Sequence, residues 1–230
     1  MIDQLSVLRH YLYYRCFRHF RNRKELEQYQ QRKLKCHLRY VAAHSELYKN
    51  LSDLEEYPIA DKEFMMEHFD QLNTVRIGRK EAEAFAVQAE RDRNFSPKLQ
   101  GVTVGLSSGT SGKRGIFLVS DKEKNRWAGY ILAKFLDRGI LQYYSIAFFM
   151  RADSNLYQAV SSKKIRFHFF DIYRSIEEHR EHLEEICPQV LVGQPSLLLQ
   201  LAGELEQGKL NIRPRTVISI AEVLDKEDED

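Results

Sequence analysis

The sequence predicts an α/β protein, with an N-terminal helical segment followed by a mixed sheet and flanking helices. Three observations carry that reading. Apolar residues in the first third recur at three- and four-residue steps, the period of a helix. From about residue 100, short β-branched runs alternate with amphipathic stretches at strand–helix–strand spacing. No internal repeat or low-complexity linker interrupts the series. The change of texture places a boundary near residue 95, with a helical region over 1–95 and an α/β region over 96–230.

Leu5, Leu8, Leu12 and Cys16, with Tyr13, Phe17 and Phe20, predict the first helix. A second is expected from Lys24 to His44, on Leu26, Tyr29, Leu34, Leu38, Val41 and Ala42. Pro58 keeps Tyr57 out of the helical region. Asp61 is the expected N-cap of a helix through Met65, Met66 and Phe69. Val102–Val104 reads as a strand entering a Ser/Gly loop, and Gly115–Val119 as the strand leaving it. A helix is expected over Asp121–Asp137, and strands over Ser145–Met150 and Ile165–Phe170. Ser175 and Glu178 have the spacing of a capping box for a helix reaching Ile186. Val190–Val192, a helix opened by Pro195 and the strand Thr216–Ile220 close the series.

At 230 residues, 43% of them hydrophobic, the chain can fill one large domain or two small ones. A net charge of +2 gives no general pull toward nucleic acid. The charge is uneven. Residues 1–44 carry Arg9, Arg15, Arg18, Arg21, Arg23, Lys24, Arg32, Lys33, Lys35 and Arg39 against Asp3, Glu25 and Glu27, while Asp225–Asp230 is acidic. The basic arm reads first as a solvated helical face, with a membrane-surface or polyanion-binding element as the functional alternative. Cys16, Cys36 and Cys187 are odd in number and widely spaced, against a disulfide framework or a zinc site. Reduced thiols fit a cytoplasmic protein. No run of about 18 apolar residues predicts a membrane span. Arg9, His10, Arg15 and Arg18 interrupt the apolar centre that a secretory signal needs.

The segment Ser107-Ser108-Gly109-Thr110-Ser111-Gly112-Lys113 carries the chemistry. Its glycines permit positive φ and close backbone approach. Successive N–H groups in such a turn converge on an anion. Hydroxyls add donors, and Lys113 adds a charge suited to a phosphate chain. It is not a Walker A loop, because position 107 is serine and position 114 is arginine. A Ser/Gly-rich hairpin without a ligand is the structural alternative.

The loop resembles the phosphate loop of the acyl-adenylate-forming superfamily, Ser-Ser/Gly-Gly-Thr-Thr-Gly-x-Pro. Three further segments match in order. Tyr57-Pro58-Ile59-x-x-Lys62 is similar to the Leu-Pro-x-x-x-Lys entry segment of phenylacetate–CoA ligases. Gly193-Gln194-Pro195-Ser196-Leu197 is similar to their Gly-x-Pro-Ser element beside the acyl pocket. Ser219-Ile220-Ala221-Glu222 is similar to their Gly-Ala-Glu-Pro turn, which flanks the adenine. Two departures stand out. Arg114-Gly115 replaces the proline after the loop, and the segment Phe149 to Tyr157 looks more like the CapK-type branch found among capsular polysaccharide biosynthesis proteins.

The resemblance implies an ATP-dependent, AMP-forming carboxylic acid ligase that uses magnesium, with coenzyme A as the expected acceptor. It implies a nucleotide-binding role for the region 96–230. Ser107 to Lys113 would hold phosphate, and Ile220, Ala221 and Glu222 would flank adenine. Trp127, Tyr130, Gly193, Pro195 and Ser196 are candidates for the acyl pocket. Such enzymes place a metal-binding glutamate, a ribose-binding aspartate and a mobile lysine downstream of the Ala-Glu turn, so all three would follow residue 222. The expectation is therefore the N-terminal portion of such an enzyme, truncated before its second half and inactive alone. The alternative is a non-catalytic module that binds nucleotide or self-associates as a homodimer through an exposed apolar edge. Tyr173-Arg174-Ser175-Ile176-Glu177 imitates the glutamate segment but lacks its glycine and threonine, and reads as a helix start. His179 and His182 read as a solvated helical face, and His168 as a packed histidine.

Overall fold

Residues 3–107, 114–136, 138–150 and 163–226 are described by a computed structural model. The chain opens with α1 (Gln4–Leu12), a π-helical turn (Tyr13–Phe17), α2 (Arg23–His44) and a 3-10 turn (Leu54–Glu56). There follow α3 (Lys62–Glu67), α4 (Phe69–Leu72), α5 (Arg79–Arg91), β1 (Thr103–Leu106) and β2 (Ile116–Val119). Then come α6 (Asp121–Phe135), β3 (Tyr144–Met150), β4 (Ile165–Asp171) and α7 (Ile176–Ile186). β5 (Val190–Gly193), α8 (Pro195–Glu206) and β6 (Thr216–Ser219) complete the order. Two units arise, one from Met1–Arg15 with Lys124–Asp230, the other from Cys16–Glu123. The change of sequence texture near residue 95 lies inside the second.

The first unit is built on a parallel sheet of order β4-β3-β5-β6. Side chains alternate across a strand, and β3 shows this directly. Ile146 and Phe148 enter one apolar cluster with Val7, Tyr11, Ala128 and Leu132 from α1 and α6. Ala147 and Phe149 enter another with Ile176, Leu183, Leu197 and Leu201 from α7 and α8. Both faces of β3 and β5 are thus buried, which is why their sequences run continuously apolar. Gly129 lets α1 cross α6 closely: a Cβ there would lie 2.6 Å from His10 Cβ and 2.7 Å from the Val7 carbonyl oxygen.

The capping box expected at Ser175 is present. The Glu178 amide donates to Ser175 Oγ, and the Ser175 amide donates to the Glu178 carboxylate at 3.2 Å. Glu177 lies in the first turn of α7, as read from sequence. The reading of His179 needs correction: its ring is 8% exposed, lies edge-on to Phe149 and Phe170, and places Nε2 2.9 Å from the Asp171 carbonyl oxygen. The charged neighbours of His179 suggested a wet face, but β4 and β3 bring aromatic rings to that side of α7. His182 remains at the surface beside Glu185.

The second unit holds the remaining helices and a separate antiparallel hairpin. β1 pairs with β2 from Thr103↔Val119 to Leu106↔Ile116. The Phe117 ring lies over Gly105, where a Cβ would sit 2.2 Å from its Cζ. Met66, Phe69, Ile77, Ala82, Ala86, Val102, Val104 and Ile116 form the core. Asp61 caps α3, accepting from the Phe64 amide at 2.8 Å. The helix expected through Phe69 is broken at His68, and α4 starts anew. Asn22 caps α2, accepting from the Glu25 amide at 2.9 Å, so the chain has left its first helix before Phe20.

Candidate nucleotide site

Ser108, Gly109, Thr110, Ser111, Gly112 and Lys113 lie outside the described residues; the base of their loop lies within them. The Ser107 amide donates to the Gly115 carbonyl at 2.8 Å, and the Gly115 amide donates to Ser107 Oγ at 2.8 Å. The hairpin therefore closes on a reciprocal pair at the loop's mouth. Arg114, where the family pattern has proline, is a clamp. Its Nε donates to the Ser107 carbonyl at 3.0 Å, and its two terminal nitrogens take both oxygens of Glu90 on α5. That fork uses the bidentate geometry of guanidinium and carboxylate. Arg114 is thereby spent on structure.

Lys62 opens α3 and reaches this same place. A Cβ on Gly115 would lie 3.5 Å from Lys62 Cγ and 3.6 Å from Ser107 Oγ. The Ile116 amide points at Met66 Sδ, 3.3 Å away, holding α3 against β2. The entry segment and the Ser/Gly loop, far apart in sequence, are thus neighbours. Behind the hairpin, Lys98 Nζ donates to both carboxylate oxygens of Asp121 at 2.7 and 2.5 Å. That hydrogen bond holds the Asp121 carboxyl below its usual range and raises the Lys98 ammonium.

The other candidates lie in the sheet unit, Gly193 to Ser196 and Ile220 to Glu222 at the carboxyl ends of β5 and β6, and Trp127 and Tyr130 on α6. The Ile220 amide donates to the Gly193 carbonyl at 2.9 Å, joining the ends of β6 and β5. Ala221 then turns with φ of 68°, a left-handed conformation that favours glycine. The turn brings Glu222 back to α8. Its Oε2 accepts from Ser196 Oγ at 2.8 Å and from the Ser196 amide at 3.4 Å. Gln194, at the N-cap position, provides no side-chain cap, and Pro195 takes the first helical position. Glu222 therefore supplies the acceptor that the α8 N-terminus lacks locally.

The acyl-pocket candidates divide between two faces of the sheet. Trp127 lines an apolar cavity of about 130 Å³ with Phe148, Val192, Ile218 and Ile220. Tyr130 is turned to the surface, its ring 5.0 Å from Tyr14. Gly193 faces the opposite side, where a Cβ would lie 3.3 Å from Leu197 and 3.5 Å from Phe149. Among the described residues, no three His, Cys, Asp or Glu side chains group closely enough to hold a metal ion. Sequence reasoning missed the Arg114–Glu90 clamp and the Ser196–Glu222 pair, for which no local signal exists. No family model matches the chain, and no curated protein matches it significantly.

Proposed function

We propose that this chain forms the N-terminal part of an ATP-dependent, AMP-forming carboxylic acid ligase of the phenylacetate–CoA ligase and CapK-like kind. The observation that supports this most is the meeting of Lys62 with Ser107 and Gly115 at the mouth of the Ser/Gly loop. Two segments that resemble the family's patterns separately are brought to one place. In this reading the acid attacks the α-phosphate of ATP and pyrophosphate leaves. Loop amides, hydroxyls and Lys113 hold the phosphate chain and offset its growing charge. Trp127 and Ile220, on the wall of the apolar cavity, are suited to the acid's carbon skeleton and the edge of the adenine. In this reading magnesium's ligands and the mobile lysine would follow Glu222, as the resemblance implies. Coenzyme A is the proposed acceptor.

Calorimetry with ATP tests the reading. The chain is expected to bind ATP, and Lys113→Ala to weaken binding by roughly tenfold or more, the worth of a charge-assisted contact. No pyrophosphate release is expected from these 230 residues alone. An unchanged affinity in Lys113→Ala would sink the phosphate-loop assignment. The self-associating alternative draws on β6, where Val217 is 56% exposed and, among the described residues, only β5 pairs with the strand. Sedimentation separates the two: a monomer that binds ATP supports the ligase reading.

A further inference from the structure

α2 is 22 residues long, yet Leu38 is its one buried residue, and residues 30–37 are exposed throughout. Core packing therefore does not account for the sequence of its outer side. Lys24, Gln28, Gln31, Arg32, Lys35 and Arg39 are all exposed. Their spacings of three and four residues put them on one face. The middle four line an open cavity of about 270 Å³. From Lys24 to Arg39 the face runs about 22 Å, with a cation or an amide on each turn of about 5.4 Å.

The four cations stand there without acids. Glu25 and Glu27, the only acids of α2, accept from the Arg21 amide at 3.0 Å and from Arg23 at 2.7 Å. Among the described residues, no carboxylate pairs with Lys24, Arg32, Lys35 or Arg39. Arg32 and Lys35, and Lys35 and Arg39, are like charges at neighbouring positions and repel each other. Lys24, in the first turn, also opposes the helix dipole. A face that served only solubility would interleave acids. This one is strained by its own charge, and a row of anions relieves it. One cation or amide per turn fits a chain of phosphates better than a single phosphate. The face has no large apolar side chain to enter a membrane interface and no aromatic ring to stack on an unpaired base. Lysine, arginine and glutamine are the groups that contact the phosphate oxygens of a duplex.

We propose that this face of α2 binds the phosphate backbone of a nucleic-acid duplex without reading its sequence. The net charge of +2 gives the whole molecule no such attraction, so the effect belongs to one helix. The proposal is independent of the ligase reading. It is tested by the fluorescence anisotropy of a labelled DNA duplex, two helical turns long, titrated with the whole chain at several salt concentrations. At low salt a dissociation constant on the order of micromolar is expected, with a log–log salt slope of about −3 to −4 for four phosphate contacts. Arg32→Gln/Lys35→Gln is expected to weaken binding roughly tenfold or more and to reduce the slope by about two. Its circular dichroism should match the parent's, because glutamine suits a helix about as well as arginine or lysine. Lys33→Gln/Lys80→Gln removes the same net charge at two exposed sites off the face, and is expected to bind like the parent. No binding at low salt, an unchanged Arg32→Gln/Lys35→Gln variant, or an equal loss in Lys33→Gln/Lys80→Gln would each overturn the proposal. Tighter binding to a single strand of the same length, or to phosphatidylglycerol vesicles at equal phosphate concentration, would overturn it in favour of those ligands.

Discussion

Gly129 shows how much one missing methyl group can settle. Its hydrogen faces α1 where a Cβ would press on His10 Cβ, the Val7 carbonyl and the Tyr11 amide. These are backbone and near-backbone atoms that cannot rotate away. Gly129→Ala would normally favour a helix by about 1 kcal/mol. Here overpacking of roughly 1–3 kcal/mol opposes that gain, and a net loss of urea stability is expected. A neutral or stabilised variant would show that the two helices separate easily. Cys187 presents the reverse case. It ends α7 with φ of 40° and donates its amide to the Leu183 carbonyl at 3.0 Å. Cys187→Gly removes the left-handed penalty and should stabilise the protein by up to about 1 kcal/mol.

At the scale of elements, the closing turn of the sheet unit caps a helix that lies behind it in sequence. Glu222 accepts from Ser196 at the amino end of α8, where the helix dipole favours negative charge. Glu222→Gln keeps the size and loses the charge, so a loss of about 0.5–1 kcal/mol is expected in urea unfolding. Caps within one segment were legible beforehand: Asp61 before α3 and the Ser175–Glu178 box before α7 each use residues three apart. Glu222 was not, because its partner lies 26 residues away and only the sheet joins them. The strands were legible from β-branched runs. The hairpin of β1 and β2 was also among the readings, but not that it would stand apart from the parallel sheet, because its strands read like their neighbours. α5 escaped notice because its buried residues are alanines, Ala82 and Ala86, which mark a packed face weakly. For the candidate site, the segments at Lys62 and at the loop were each legible, but their meeting was not, and Arg114's clamp depends on Glu90 from that unnoticed helix.

Over the whole molecule, acid should act on one group in each unit in a different range. In the sheet unit, burial is the main reason that the His168 imidazole is pushed below its ordinary value, helped by the nearby His182 and Arg166. A depressed imidazole adds stability above the unfolded value near 6.5, and that stability is lost as pH falls from there through the folded value. In the other unit the Lys98–Asp121 pair keeps the carboxylate low. Its contribution is whole above about pH 4 and is lost as pH falls through the folded value, and the pair's partial exposure limits it to about 1 kcal/mol. Raising the pH removes the matching ammonium contribution only above about 10.5. Urea unfolding between pH 8 and pH 3 is expected to show a loss beginning below neutrality that His168→Asn flattens. A further loss in the carboxylate range should shrink in Asp121→Asn. A pH profile unaffected by His168→Asn would show that its ring gains protons equally in both states.

Trp127 lines the apolar cavity, and it is the single tryptophan among the 230 residues. The protein therefore carries one indole fluorophore, selectively excited at the red edge of absorption and placed inside the sheet unit beside Phe148, Val192 and Ile220. Indole emission responds to the polarity of its surroundings, so a molecule entering that cavity would announce itself as a change of colour without any added label. The same signal is silent about the hairpin unit, so emission and backbone circular dichroism followed together through unfolding would reveal whether the two units melt as one.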